Sequence, residues 1–225
     1  MTPEDAAVGA SLVVLSLVTL SLSILVLRKY SMGKNSFLWW GAGLFLAFVT
    51  IMQEAFIYFG YWSQPLIQSY IFMVALLVGF LSIGSMSMVR NGWVRAVWLV
   101  YMILMSITTA YFSFTTSVST SVVEKGVVTQ ALPLYDIISS TLVTAPAATV
   151  IIALALYSTY RTRRIGTLLI AAGATVLSVA GSLFALHSFP VALYYAEFVG
   201  ILLLFLGFLD FPSGQGTTRG TIHSA

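Results

Sequence analysis

The sequence predicts an all-α integral membrane protein, folded as a seven-transmembrane helix bundle. Its 225 residues are 59% hydrophobic and only 8% charged, with a mean hydropathy of +0.99. Seven apolar stretches each reach the roughly 20 residues that a helix needs to cross a bilayer. Helices are predicted rather than a β-barrel, because backbone groups in lipid must be satisfied within one segment and the stretches lack strict alternation.

The predicted helices follow one another through a single transmembrane domain, residues 1–210. They cover residues 8–27, 37–59, 66–89, 94–114, 134–157, 165–186 and 190–209. Glu4 and Asp5 stand where a signal peptide would carry positive charge, so the first helix is expected to be retained. Residues 115–133 have β-branched residues on both sides of Gly126, which predicts either an outer hairpin or an irregular Ser/Thr loop. Residues 211–225 are rich in Gly, Ser and Thr and are expected to form a flexible cytoplasmic tail.

Basic residues divide the predicted loops into two sides. Lysines and arginines in short loops remain on the cytoplasmic side of a membrane. Lys125 stands alone on one side, and the other side holds Arg28, Lys29, Lys34, Arg90, Arg95, Arg161, Arg163, Arg164 and Arg219. The N-terminus is therefore expected outside and the C-terminus inside. The tryptophans are all predicted to lie at the membrane interfaces, with Trp39, Trp40, Trp93 and Trp98 beside the basic loops and Trp62 opposite them.

The second and third predicted helices are similar in sequence to the sixth and seventh. At an offset of 125 residues, segments 41–81 and 166–206 align without a gap and share 13 identities in 41 positions. Pro65 pairs with Pro190 and Tyr70 with Tyr195. Two three-helix units of one orientation, joined by the fourth helix, form a parallel 3+1+3 internal repeat.

This layout resembles that of SWEET-type sugar transporters and of the seven-helix retinal proteins. The resemblance is one of topology, and no family motif accompanies it. A retinal protein needs a lysine in its seventh helix for the Schiff base, and predicted helix 190–209 contains none. The resemblance therefore implies an architecture, and no cofactor is predicted.

Ionisable residues within the predicted helices define the candidate site. Glu54 and Glu197 lie roughly 8 to 11 Å from the outer ends of their helices, at a common level in the outer half. Such carboxyls either bind a cation or a proton in a water-accessible cavity, or hold helices together through hydrogen bonds. Other polar residues predicted near the outer half are Gln53, Tyr58, Gln68, Asp136, His187, Tyr194 and Tyr195. For Asp136, a favourable position at a helix N-terminus is the simpler explanation.

Composition excludes several function classes. The chain has no cysteine, which excludes disulfides and thiolate metal sites. His187 is the only histidine near the bundle, so a bis-histidine haem is excluded and no metal site is predicted. No grouping of acid, base and nucleophile suggests an enzyme. The basic residues are few and sorted by membrane side, so nucleic acid is not expected as a partner.

Two functions remain from the sequence. The first is a multi-pass cell membrane protein, with no enzymatic activity, that binds or translocates a small solute or cation through an outer polar cavity; proton coupling is one form of this. The alternative is an accessory or sensory subunit that acts through protein, lipid or pigment contacts. The expected partners are the lipid bilayer and a membrane protein or second copy of the chain.

Overall fold

The computed structural model describes residues 3–30, 35–61, 63–118, 132–185 and 190–209. Within these residues the chain forms seven helices and no strand, which confirms the predicted helical bundle. The helices are α1 (Pro3–Tyr30), α2 (Asn35–Tyr58), α3 (Gln64–Met86), α4 (Gly92–Thr115), α5 (Leu134–Thr162), α6 (Ile165–Ala185) and α7 (Pro190–Leu209). Every bound lies within five residues of its predicted position. Most of the predicted hairpin, His187 and the tail lie outside the described residues.

The helices have the length and composition of membrane spans. Helices α1 to α5 are each long and apolar enough to cross a bilayer. In α6 and α7 the described apolar stretches are shorter, at Ile165–Gly181 and Tyr194–Leu209. The chain therefore has the architecture of a helical membrane protein.

Local signals in the sequence account for several helix ends. The Ser63 hydroxyl accepts a hydrogen bond from the Leu66 N–H at the start of α3, and Pro65 follows in the first turn. The Asn91 side chain caps α4 in the same way. Helix α5 ends at Arg163, which adopts the left-handed conformation with φ of 52°.

Six of the helices pack as a ring. Neighbours follow the order α1, α2, α3, α5, α6, α7 and back to α1, and α4 packs from outside against α3 and α5. Exchanging α1–α3 with α5–α7 leaves this order unchanged, as a parallel repeat requires. Helix α4 is the connector and has no equivalent in either unit.

The centre of the ring is filled by apolar side chains in the half that holds the basic loops. One cluster of buried residues draws on all six ring helices. Across it, the rings of Trp40 in α2 and Phe208 in α7 meet edge to face at 4.7 Å. Trp40 is 4% exposed because it fills this core, a burial that the predicted interfacial position did not anticipate. Trp93 is 77% exposed at the start of α4, and Trp62 lies outside the described residues.

Candidate functional site

The carboxyl groups of Glu54 in α2 and Glu197 in α7 are joined by a side-chain hydrogen bond. Glu54 is 5% exposed, and Oε2 of Glu197 is buried with no hydrogen-bond partner among the described residues. An ionised carboxylate only accepts hydrogen bonds, so a bond between two carboxyls requires a proton on at least one of them. The Glu54/Glu197 pair is therefore a candidate proton site.

Three tyrosines surround the pair. Tyr70 of α3 and Tyr194 of α7 each interact electrostatically with both carboxyl groups. Tyr58 follows Glu54 by one helical turn, and its ring meets that of Tyr194 edge to face at 5.5 Å. The site is thus built by α2, α3 and α7, which bring two carboxyls and three phenol rings to one level of the bundle.

The described lysines and arginines lie at the helix ends farthest from the Glu54/Glu197 pair. The described basic residues are Arg28, Lys29, Arg90, Arg95, Arg161, Arg163 and Arg164, and all of them lie at or beside the helix ends joined by the basic loops. The Glu54/Glu197 pair lies in the other half of the bundle. Among the residues whose side chains the structure describes, no lysine or arginine therefore lies beside the pair to form a salt bridge with it.

The path from the pair toward the basic loops is closed by successive apolar layers. Ile51 of α2 and Ile201 of α7 belong to one buried cluster, one helical turn below the glutamates. The wider ring core follows, including the contact between Trp40 and Phe208. The pair is therefore separated from the basic-loop side by packed hydrocarbon.

Asp136 lies in the first turn of α5, apart from the Glu54/Glu197 pair. Its side chain is 0% exposed and neither carboxyl oxygen has a hydrogen-bond partner among the described residues. One turn along, the Thr109 hydroxyl donates to the Ser139 carbonyl at 3.0 Å. Ser113 of α4 is also fully buried, and its hydroxyl has no described partner. Sequence reasoning placed Asp136 at a helix start but did not anticipate its complete burial.

The remaining predicted residues have separate positions. The Gln53 amide donates to the Ser69 hydroxyl at 3.0 Å, and the Gln68 amide donates to the Thr116 carbonyl at 2.9 Å. These bonds tie α2 to α3 and α3 to the end of α4. Tyr195 is 54% exposed, because it points away from Tyr194 on the helical wheel of α7. His187 lies outside the described residues.

Sequence reasoning missed Tyr70, which is 9% exposed beside the two glutamates. The signal was present in the repeat, since Tyr70 is the equivalent of Tyr195 at the 125-residue offset. Tyr70, in the first repeat unit, lies at the site, whereas Tyr195, in the second unit, lies on the outside of the bundle. Over the part of the chain that the structure describes, no group of three or more His, Asp or Glu side chains could hold a metal ion.

Comparison of the chain with protein family models, with curated proteins and with solved structures finds no match. The fold and the site define a helical membrane protein with a buried carboxyl pair.

Proposed function

We propose that the chain is a multi-pass cell membrane protein that binds a small cation in exchange for a proton at the Glu54/Glu197 pair. The observation that supports this most strongly is the hydrogen bond between two buried carboxyls from the two halves of the repeat. Ionisable groups at such depth are costly in a membrane and mark ion or proton pathways in many membrane proteins.

The chemistry of the Glu54/Glu197 pair favours exchange of its proton for a cation. If the shared proton leaves, two negative charges remain close together in a medium of low dielectric constant, which is strongly unfavourable. The described basic residues lie at the far ends of the helices and cannot compensate this charge. A cation entering the site would restore neutrality. Carboxylate and phenol oxygens are suitable ligands for a hard cation, and the tyrosine rings suit an organic ammonium ion.

Access in this proposal is from the side opposite the basic loops. Among the described residues, Tyr58 and Tyr194 lie one helical turn from the pair on that side with their rings in contact, whereas several apolar layers close the other side. Binding from outside therefore needs movement of two aromatic side chains. Full translocation would in addition require α2 and α7 to separate around Trp40 and Phe208.

The test uses purified protein in liposomes with a pH-sensitive dye. Addition of sodium, potassium or tetramethylammonium chloride should release protons from the wild-type protein for at least one of these cations. Glu54→Gln and Glu197→Gln should each reduce the release to that of protein-free vesicles. Asp136→Asn is the matched control, because it neutralises another buried carboxyl that does not contact the pair, and should behave as wild type. Proton release that persists in both glutamine variants would refute the proposal.

An accessory or sensory subunit is the second candidate, and the position of α4 favours it. This helix packs outside the ring, and within it only Met102, Thr109 and Ser113 are buried. Its remaining apolar surface is free to contact lipid or another membrane protein. Extraction from native membranes in mild detergent, followed by identification of stoichiometric partners, distinguishes the two candidates. A constant partner, together with no cation-induced proton release, would favour the accessory role.

A further inference from the structure

A basic groove opens at the turn between α5 and α6, at the end of the bundle opposite the glutamates. Its volume is about 570 Å³, and its wall includes the guanidinium-bearing residues Arg161, Arg163 and Arg164. By the distribution of basic residues, this turn is predicted to face the cytoplasm. The groove therefore lies where the helices leave the cytoplasmic leaflet.

The turn that carries the arginines is braced by hydrogen bonds. The Arg163 N–H donates to the Thr159 carbonyl at 2.7 Å, which closes α5 with Arg163 in the left-handed conformation. The hydroxyls of Thr159 in α5 and Thr167 in α6 lie 3.0 Å apart. The Thr167 hydroxyl also contacts the Arg164 carbonyl at 2.9 Å. The backbone supporting the three charges is thus fixed from both helices.

Among the residues whose side chains the structure describes, no carboxyl group lies beside the arginines of the groove. The described carboxyl side chains, Glu54, Asp136 and Glu197, lie in the opposite half of the bundle. Arg161 donates to the hydroxyl of Tyr157 at 3.3 Å, which orients the guanidinium without neutralising it. Three guanidinium groups so arranged favour a phosphate, because each can donate parallel hydrogen bonds to its oxygens.

The same groove has an apolar and aromatic side. Ile165 is 69% exposed and Leu168 is 48% exposed, and both line the groove at the start of α6. Tyr160, at 86% exposure, adds an amphipathic ring of the kind that lies at headgroup level. A free phosphate would use only the arginines, whereas a phospholipid would also cover Ile165 and Leu168 with its acyl chain.

We propose that the groove formed by Arg161, Arg163 and Arg164 with Ile165 and Leu168 is a binding site for an anionic phospholipid of the cytoplasmic leaflet. The headgroup phosphate lies against the guanidinium groups, and the first part of one acyl chain lies along α6. This site is independent of the Glu54/Glu197 pair, so a failed test of lipid binding would not contradict the proposed cation exchange, and the reverse also holds.

The experiment measures lipid retained by the full-length protein. Wild-type protein is placed in nanodiscs that contain equal amounts of phosphatidylglycerol and phosphatidylcholine. The protein is released from the nanodiscs in the mass spectrometer, and the lipids that remain bound to it are counted. We expect a clear preference for phosphatidylglycerol. The variant with Arg161→Gln, Arg163→Gln and Arg164→Gln should lower that preference by about a hundredfold, since each basic residue near an anionic surface contributes roughly fivefold and three are removed.

Matched variants separate a specific site from general charge. Arg90→Gln with Arg95→Gln removes charge from the α3–α4 turn, on the same side but outside the groove, and should keep the preference. Arg161→Lys, Arg163→Lys and Arg164→Lys together keep the net charge and should still weaken binding, because lysine lacks the bidentate geometry. Equal loss in the Arg90/Arg95 variant, or no loss in the glutamine variant, would overturn the proposal.

A final arm distinguishes lipid from free phosphate. Inorganic phosphate at millimolar concentration should not displace phosphatidylglycerol, and Ile165→Ser with Leu168→Ser should lower lipid retention while the arginines remain. If inorganic phosphate displaces the lipid and the serine variant retains it normally, the groove is an anion site without a lipid role and the proposal is wrong.

Discussion

Tyr58 of α2 and Tyr194 of α7 meet edge to face at 5.5 Å between ring centroids, one helical turn from Glu54 and Glu197 on the side away from the basic loops. Tyr194 is 3% exposed, so its ring is part of the packed bundle. Two antiparallel helices thus place a carboxyl pair and an aromatic pair in successive layers. This order predicts that the aromatic contact controls access to the carboxyls.

Shortening the Tyr194 side chain should ease cation access to the Glu54/Glu197 pair without removing either carboxyl group. Tyr194→Ala removes a buried ring and should lower the free energy of unfolding by about 3 kcal/mol, while making cation-induced proton release faster. Tyr194→Phe keeps the ring and should therefore keep proton release slower than in Tyr194→Ala. Stopped-flow dye measurements on proteoliposomes record the rates, and thermal unfolding in detergent records the stability. Tyr195→Ala, at an exposed position on the same helix, is the control. An unchanged or slower rate in Tyr194→Ala would argue against a covering role.

Close approach of α6 and α7 should depend on particular glycines. A Cβ at Gly207 would lie 2.6 Å from the Gly166 carbonyl oxygen, and a Cβ at Gly173 would lie 2.7 Å from that of Gly200. Because backbone atoms cannot yield as side chains do, Gly207→Ala should destabilise the protein by about 1 to 3 kcal/mol. Among the described residues, nothing lies within 4 Å of a Cβ at Gly181, so Gly181→Ala should stabilise α6 by up to about 1 kcal/mol. Thermal unfolding of both variants gives the comparison, and equal effects would contradict the observed packing.

Neutralising Asp136 should not harm the fold. Its two carboxyl oxygens are buried without a described partner, and an amide of the same size carries no charge to desolvate. Asp136→Asn is therefore expected to leave the free energy of unfolding unchanged or to raise it by about 1 kcal/mol. Denaturation in detergent measures this. A fall of about 2 kcal/mol or more would mean that the carboxyl forms an interaction that the described residues do not reveal.

The architecture was predictable because membrane insertion makes strong demands on sequence. Each of the seven predicted apolar stretches corresponds to a helix among the described residues. Helix α7 begins and ends at the predicted residues. The ring order agrees with the repeat, but the position of α4 outside the ring could not be read from its hydropathy, which resembles that of its neighbours.

The depth of the site residues in the bundle was predictable from the sequence. The side of each helix that faces the site was not. Counting residues placed Glu54 and Glu197 at one level, since rise per residue is nearly constant in a helix. Which face each helix turns inward depends on packing among all seven, so Tyr195 was expected in the site and Tyr70 was overlooked. Trp40 shows the same limit, because its position near a helix end could be read from the sequence but its burial could not.

Infrared difference spectroscopy of the Glu54/Glu197 pair tests the central claim most directly. In an Asp136→Asn background, which removes the other carboxyl that is buried among the described residues, a protonated carboxylic acid should give a carbonyl-stretch band that shifts in heavy water. Replacing either glutamate by glutamine should shift or abolish this band, because each carboxyl is hydrogen-bonded to the other. A band unchanged by both substitutions, or no such band in the parent protein, would contradict a proton shared between α2 and α7.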